Sequence, residues 1–423
     1  MRLVLTVMLA VVLSAGAMAN GLSLNSIGTR ALGMGGAFVG LADDPTAIYW
    51  NPAGLAGQPS SVMVFATDII PTATYKMDLM NIDAKTESNH YIAPNAFFNY
   101  NMDKLSLAIG VYVPAGLGAE WNYNDFNPMV DNLKFSSKIG VVNISPGIAY
   151  KVTDQFSVGA AFNIYYAMFD MYQPAGFDSD GDGNEDTFFQ FEESSTGLGY
   201  GVTLGLKYDV NEMFALGATF RTKTTVTMSG TAKNPLFPAL PNFPPVVTPG
   251  PGESDFDRDV AWPTWIAGGV AVKPSEKLTI TADAQYSAWS ENKELVAEYK
   301  DTYWDAVMTG SGQDKFELKW EDAIQYRLGL QYLASENLLL RGGYYYDPAP
   351  APDETVNVLF PSSTNHTITA GGSYIMDNFT LDLALEYLFG AERDIEVNAT
   401  NEMPGIHQMD IFAFSLGFGY VLP

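Results

Sequence analysis

Leu198-Gly199-Tyr200-Gly201-Val202-Thr203-Leu204-Gly205-Leu206-Lys207-Tyr208-Asp209-Val210 is the stretch that decides the fold. Its even positions are apolar and its odd positions are small or polar. A period of two marks a strand with one apolar face. The run exceeds the roughly five or six residues of an ordinary soluble strand and is long enough to cross a bilayer at a tilt. Tyr200 and Tyr208 lie towards its two ends, where an interfacial aromatic girdle places such rings.

The pattern repeats along the chain. Residues 156–168 set Phe156, Val158, Ala160, Phe162, Ile164, Tyr166 and Met168 against Ser157, Gly159, Ala161, Asn163 and Tyr165. Residues 379–389 set Phe379, Leu381, Leu383, Leu385, Tyr387 and Phe389 against Thr380, Asp382, Ala384, Glu386 and Leu388. Tight turns fall at 102–104, 153–155, 210–212, 274–276, 334–336 and 376–378, each joining two such runs. Long polar or Pro/Gly-rich stretches separate the hairpins, at 115–136, 172–194, 231–258, 291–318, 348–363 and 391–406. Six hairpins, a first strand at 61–77 and a last at 407–421 predict fourteen strands, with both ends at the short-turn rim. Short turns on one rim and long loops on the other are the pattern of an outer-membrane barrel, so the predicted class is an all-β transmembrane antiparallel barrel.

Composition agrees with this. The 423 residues are 47% hydrophobic and 13% aromatic, with 39 glycines. Forty-eight acidic residues against 22 basic ones give a formal charge of −26, which argues against a nucleic-acid partner. Zero cysteines exclude disulfides, thiolate metal sites and cysteine nucleophiles. No apolar run beyond the N-terminus is long enough for a helical span. Residues 1–19 combine Arg2, an apolar core and Ala17-Met18-Ala19, which reads as a signal peptide. The predicted organisation is signal peptide 1–19, a small N-terminal unit 20–60 and the barrel 61–423.

The N-terminal unit is rich in small residues and too short to bury a core alone, so it needs the barrel lumen as a container. Asp43 or Asp44 followed by Pro45 reads as a helix start, and Asn51-Pro52 as its stop. Gly33-Met34-Gly35 fails as a dinucleotide loop because Phe38 holds the third glycine position. Ala31-Leu32-Gly33-Met34-Gly35-Gly36-Ala37-Phe38, Ala42-Asp43-Asp44 and above all Asn51-Pro52-Ala53, directly after a signal peptide, resemble the FadL/TodX family of outer-membrane transporters for hydrophobic compounds. The resemblance implies a fourteen-stranded barrel plugged by an N-terminal hatch. It also implies passive uptake of long-chain fatty acids or hydrocarbons through an apolar pocket, with sideways exit at a kinked third strand. Asn51, Pro52, Ala53, Gly33, Gly35 and Gly36 then belong to the hatch. The partners expected are a hydrophobic small molecule and outer-membrane lipids including lipopolysaccharide, around a monomer in the bacterial outer membrane. Relatives acting in protein secretion, and a lipid-acting barrel enzyme, are the rival readings.

The third strand, Leu105–Pro114, runs into Ala115-Gly116-Leu117-Gly118. Proline cannot donate to a ladder and glycine weakens one, so pairing breaks near Pro114, Gly116 and Gly118, at a lateral opening or at an ordinary strand end. Trp121, Tyr123 and Phe126 follow as capture-surface or girdle aromatics. With apolar residues facing lipid, parity puts Arg327, Arg341, Arg221, Lys223 and Lys207 on the lumen face, opposite Asp283, Asp382 and Glu386. These cations either bind a cargo carboxylate or seat the plug through ion pairs. Asp178, Asp180, Asp182 and Asp186 occupy positions 1, 3, 5 and 9 of a calcium loop. Phe189 replaces the bidentate Glu, leaving a calcium site or a solvated acidic tip. No other cofactor is expected. His90, His366 and His407 share no ligand spacing and mark no nucleophile, so no enzymatic activity is expected.

Overall fold

The computed structural model describes residues 21–130, 132–178, 186–239, 250–397, 401 and 403–423. The leader at 1–19 lies outside these residues, as do Asp180 and Asp182.

Fourteen antiparallel strands close into a barrel. They are β1 (Ser61–Met77), β2 (Tyr91–Met102), β3 (Leu105–Asn122), β4 (Lys134–Lys151), β5 (Phe156–Phe177) and β6 (Thr187–Asp209). Strand β7 comprises Phe214–Arg221 and Thr224–Lys233, and β8 comprises Glu253–Trp262 and Trp265–Ser275. The ring continues with β9 (Leu278–Ser287), β10 (Ala323–Ser335), β11 (Leu338–Asp347), β12 (Asn365–Met376), β13 (Phe379–Gly390) and β14 (Gly405–Val421). Each strand pairs with its neighbour in sequence, and β14 closes on β1 from Ser61↔Val421 to Lys76↔Ile406. Closure leaves no sheet edge, which lipid would not tolerate.

Alternation becomes geometry directly. Along β6, Leu198, Tyr200, Leu204, Leu206 and Tyr208 are exposed, while Thr203 is buried. Matching outward residues on β10, β13 and β14 complete an apolar band. The short turns lie where expected. The long connections hold more structure than expected. β5 and β6 continue as one ladder through Tyr172↔Glu192 to Phe177↔Thr187, inside the stretch expected to be a loop. Residues 172–178 there are half-exposed without alternation, so no period-two signal betrays the ladder. The stretch 291–318 carries a helix, Thr302–Ser311, capped by the Asp301 carboxylate, which accepts from the amides of Tyr303 and Trp304. Trp304 and Met308 of that helix are buried in the long-loop half of the lumen, among Phe169, Phe191, Phe256 and Trp262.

Residues 21–55 run inside the ring and are almost wholly buried. Their regular pieces are α1 (Thr29–Gly33), α2 (Ala47–Trp50) and a 3-10 turn, Pro52–Leu55. The second helix starts later than expected, with Thr46 at the N-cap. The reason is local: the Asp44 carboxylate accepts from the Thr46 amide at 2.8 Å and from its hydroxyl, forming a turn before the helix.

Candidate functional site

The Asn51-Pro52-Ala53 corner is bolted to the wall. Asn51 is fully buried. Its Nδ2 donates to the carbonyls of Val39 (3.0 Å) and Leu206 (2.9 Å), and its Oδ1 accepts from the Ala53 amide (3.2 Å). One amide therefore ties two parts of the hatch to β6. Pro52 opens the 3-10 turn, where a missing N–H costs nothing. The wall accommodates this corner with inward-facing glycines. A Cβ on Gly205 would stand 2.3 Å from Asn51 Oδ1, and one on Gly159 2.3 Å from the Pro52 carbonyl carbon. The alternating small residues of β5 and β6 were visible in the sequence, but their role as a socket was not.

A second seat lies across the barrel. Gly35 and Gly36 have φ of +63 and +66, a region that L side chains avoid. Arg327 Nη1 donates to the Gly35 carbonyl at 3.0 Å, and its guanidinium lies 4.4 Å from the Tyr345 ring. Gln285 donates to the Gly36 carbonyl at 3.2 Å, and the Val39 amide donates to Asp283 at 2.8 Å. Arg221 donates to the Tyr49 carbonyl at 2.7 Å and lies 4.3 Å from the Tyr49 ring. Arg341 bonds Gln331 (2.8 Å) and Ser373 (2.5 Å), and stands 3.6 Å from Asp382. At the hatch's short-turn end Arg30 pairs with Asp43 (3.0 Å) and Asp44 (3.2 Å). Burial pushes the Asp44 carboxyl above its usual range, against the pull of Arg30 and the Thr46 donors.

Lys223 departs from the expected parity. Its side chain is 43% exposed, 4.0 Å from Glu291, because β7 slips by one face between Arg221 and Thr224.

The third strand leaves its neighbour after Val111, ahead of Pro114, whereas Gly116 and Gly118 stay in register with β4. β2 pairs with β3 from Met102↔Leu105 to Ala96↔Val111 and no further. β3 stays paired with β4, but its register shifts between Tyr112 and Ala115. Tyr112 to Gly116, and Gly118, are all buried, so alternation is lost and the strand leaves the lipid-facing surface. A wedge thus opens between β2 and β3. Asn95 accepts the Val113 amide (2.9 Å), the Leu24 amide donates to the Pro114 carbonyl (2.9 Å), and Ser23 bridges to Ala115. The first described residues of the hatch line the wedge like a short surrogate strand. Two cavities of about 30 Å³ flank that segment and share Leu24 and Asn25. One reaches Pro114, Arg221, Trp262, Trp289 and Arg327, the other Asn95, Val113 and Ile411. Each has room for only a water or two.

Above the cavities the lumen is apolar around one ion pair that the sequence did not announce. Arg258 grips Glu193 with two bonds, 2.6 and 3.1 Å, and both are at most 2% exposed. Tyr299 donates to the same carboxylate at 2.9 Å. Burial, then the Glu193 charge, push the Tyr299 phenol far above its ordinary range. Phe256 and Phe169 lie 5.2 and 5.4 Å from the guanidinium. Trp121 and Phe126 pack 5.6 Å apart, and Trp121 Nε1 donates to the Val358 carbonyl, which ties down the inward-folded 348–363 stretch.

The histidines are separate. His90 meets Asp68, His366 meets Tyr344, and His407 meets the Met403 carbonyl. Asp178 and Asp186 flank the undescribed part of the acidic loop. Among the described residues no three acidic or histidine side chains gather to hold a metal.

A family described as outer membrane protein transport protein (OMPP1/FadL/TodX) matches residues 10–420. Outer membrane protein P1 of Haemophilus influenzae is 23% identical, over 97% of this chain and 98% of its own. The long-chain fatty acid transport protein of Escherichia coli K12 is 22% identical, over 86% and 82%. A Pseudomonas aeruginosa FadL homologue shares the fold with a TM-score of 0.77, at 16% identity and 95% and 99% coverage. The Pseudomonas putida toluene transporter TodX gives 0.74, at 17% identity and 94% and 99% coverage.

Proposed function

Because the chain belongs to the outer membrane protein transport family OMPP1/FadL/TodX, we propose that it carries hydrophobic molecules inward by passive diffusion and releases them sideways between β2 and β3. The protein belongs to the bacterial outer membrane. Relatives named for long-chain fatty acids and for toluene suggest those two cargo classes. The observation that carries the reading is the wedge beside Pro114, which borders two cavities that share Leu24 and Asn25 of the hatch as lining. Cargo collects in the apolar long-loop half, enters when residues 21–26 withdraw and merges the cavities, and leaves at the bilayer through the wedge. Burial of apolar surface drives each transfer, at about 25 cal/mol per Å². Arg221 and Arg327 line the cavity and are the cations a carboxylate cargo meets there, while Arg341 and Lys223 lie off this path. The short-turn rim is periplasmic, and the long-loop rim sits among lipopolysaccharide around a monomer.

Deleting Val113 tests this. It removes the extra residue and lets β3 pair regularly with β4. Uptake of labelled oleate is expected to collapse at matched surface expression. Unchanged oleate uptake by the straightened strand rejects the lateral route.

A further inference from the structure

The barrel wall is interrupted a second time, away from β3. Each segment of β7 pairs with one segment of β8: Arg221 sits opposite Trp265 and Thr224 opposite Trp262. Two residues intervene on each strand, so the register carries through while the ladder does not. Thr222 is committed to β6: its amide donates to the Val202 carbonyl at 3.0 Å and its hydroxyl accepts the Val202 amide at 2.9 Å. Thr264 is committed to β9, accepting the Ala288 amide at 2.9 Å. Between them stand Lys223 and Pro263. Proline has no N–H to give, and among the described residues no backbone hydrogen bond joins the two. Outward-facing residues change parity on both strands at this level, from Phe220 to Thr225 and from Ile266 to Asp259.

The break is reached from inside and strapped at its exposed face. The cavity beside the hatch is lined by Thr222, Trp262 and Pro263. Glu291 accepts the Thr264 amide (3.3 Å) and hydroxyl (3.0 Å) and faces Lys223 at 4.0 Å. Glu291 ends the Trp289–Glu291 turn, whose Trp289 is fully buried and lines the same cavity. Trp289 also lies against the first described residue, since a Cβ on Gly21 would come within 2.4 Å of its ring. Tyr200, an outward aromatic, lies within the stretch of β6 bracketed by Thr203↔Arg221 and Leu198↔Thr227, so the break opens at the membrane interface.

We propose that the β7–β8 break is a second lateral passage between lumen and lipid, for uncharged hydrocarbons, strapped shut by Glu291 and coupled to the hatch through Trp289. This rests on the transport reading above. Withdrawal of the hatch's first residues frees Trp289, the turn carrying Glu291 shifts, and the two strands part at the one level, Lys223 and Pro263, that no backbone bond closes among the described residues. Lys223 at the mouth is already faced by Glu291 at 4.0 Å, which leaves no net positive charge to draw a carboxylate cargo out there, so fatty acids are left to the β3 wedge.

The chain has no cysteine, so a Thr222→Cys/Thr264→Cys pair is a clean lock. These positions face each other at a non-hydrogen-bonded site, where Cα atoms about 4.5 Å apart suit a disulfide. The oxidised protein is expected to take up labelled toluene at least about fivefold more slowly than the reduced protein, while oleate uptake holds. Equal toluene rates in the two states overturn the passage, as does equal loss of both probes. If the reduced protein carries neither probe, the transport reading itself fails. Should the pair not assemble, Lys223→Cys capped with a bulky maleimide obstructs the same opening and is judged by the same comparison.

Discussion

Replacing Asn51 by alanine removes a side chain that makes three hydrogen bonds in a fully buried place. The Leu206 carbonyl keeps its place in the β6 ladder, so its loss is small. The Val39 carbonyl and the Ala53 amide are left without partners behind the hatch, where water does not reach. At about 1–3 kcal/mol for each unmet group, the corner loses about 3 kcal/mol of docking free energy. That corresponds to roughly a hundredfold in local opening. The readout is hydrogen exchange of the Gly54, Ala56 and Gln58 amides, all donated within this corner, with β6 amides as the internal control. Asn51→Asp sharpens the test. It keeps an acceptor for Ala53 but turns an anionic oxygen towards two carbonyls, so it is expected to open the corner at least as much. Exchange within about threefold of wild type in Asn51→Ala refutes the bolt argument, whatever the transport rate does.

Arg258→Met is expected to lower thermal stability by about 3–5 kcal/mol, because Glu193 stays buried without its counter-charge. Arg258→Met/Glu193→Leu should recover most of that loss, and a double variant as unstable as the single one refutes the pairing argument. Impermeant thiol labelling of intact cells should modify Glu253→Cys, on an exposed edge of β8, and spare Ser275→Cys at the short turn. The reverse result inverts the topology. Calcium titration should give millimolar or tighter binding at the Asp178–Asp186 loop that Asp180→Ala abolishes. Heat absent at millimolar calcium in the unmodified protein removes that site.

What the sequence disclosed depended on whether one face was dry. β1 was expected at 61–77 and runs Ser61–Met77, since every second side chain there meets the lumen. The upper β5–β6 ladder escaped notice because residues 172–178 are all half-exposed and no alternation survives there. Lys223 was misplaced for a different reason: parity propagates from a starting residue, and a two-residue interruption resets it unseen. The Asn51 motif was legible as a helix stop, whereas its socket needed Gly159 and Gly205 to be brought together from two strands. Glu193 and Arg258, 65 positions apart, offered no signal of their pairing.

The two ends of the hatch are held by different physics, and this bears on which end moves. From Gly35 to Leu55 the contacts are directional: Asn51, Arg221, Gln285 and Arg327 donate to backbone carbonyls, and Asp283 accepts. Each such bond, once broken in a dry site, leaves a group with no alternative partner. From Gly21 to Ser26 the hold is lighter, with Leu22 and Leu24 in the lumen clusters, one backbone bond from Leu24 to Pro114 and a long bond, 3.4 Å, from Gln325 to Asn25. The directional hold begins again at Ile27, whose carbonyl accepts from Trp50 Nε1 at 2.7 Å. An arriving hydrocarbon replaces apolar contacts with apolar contacts at little net cost, but it cannot replace a hydrogen bond. The cargo therefore competes with the hatch's first residues and never with its anchored corner. On the route proposed above, the path opens by exchange while the anchored corner stays seated.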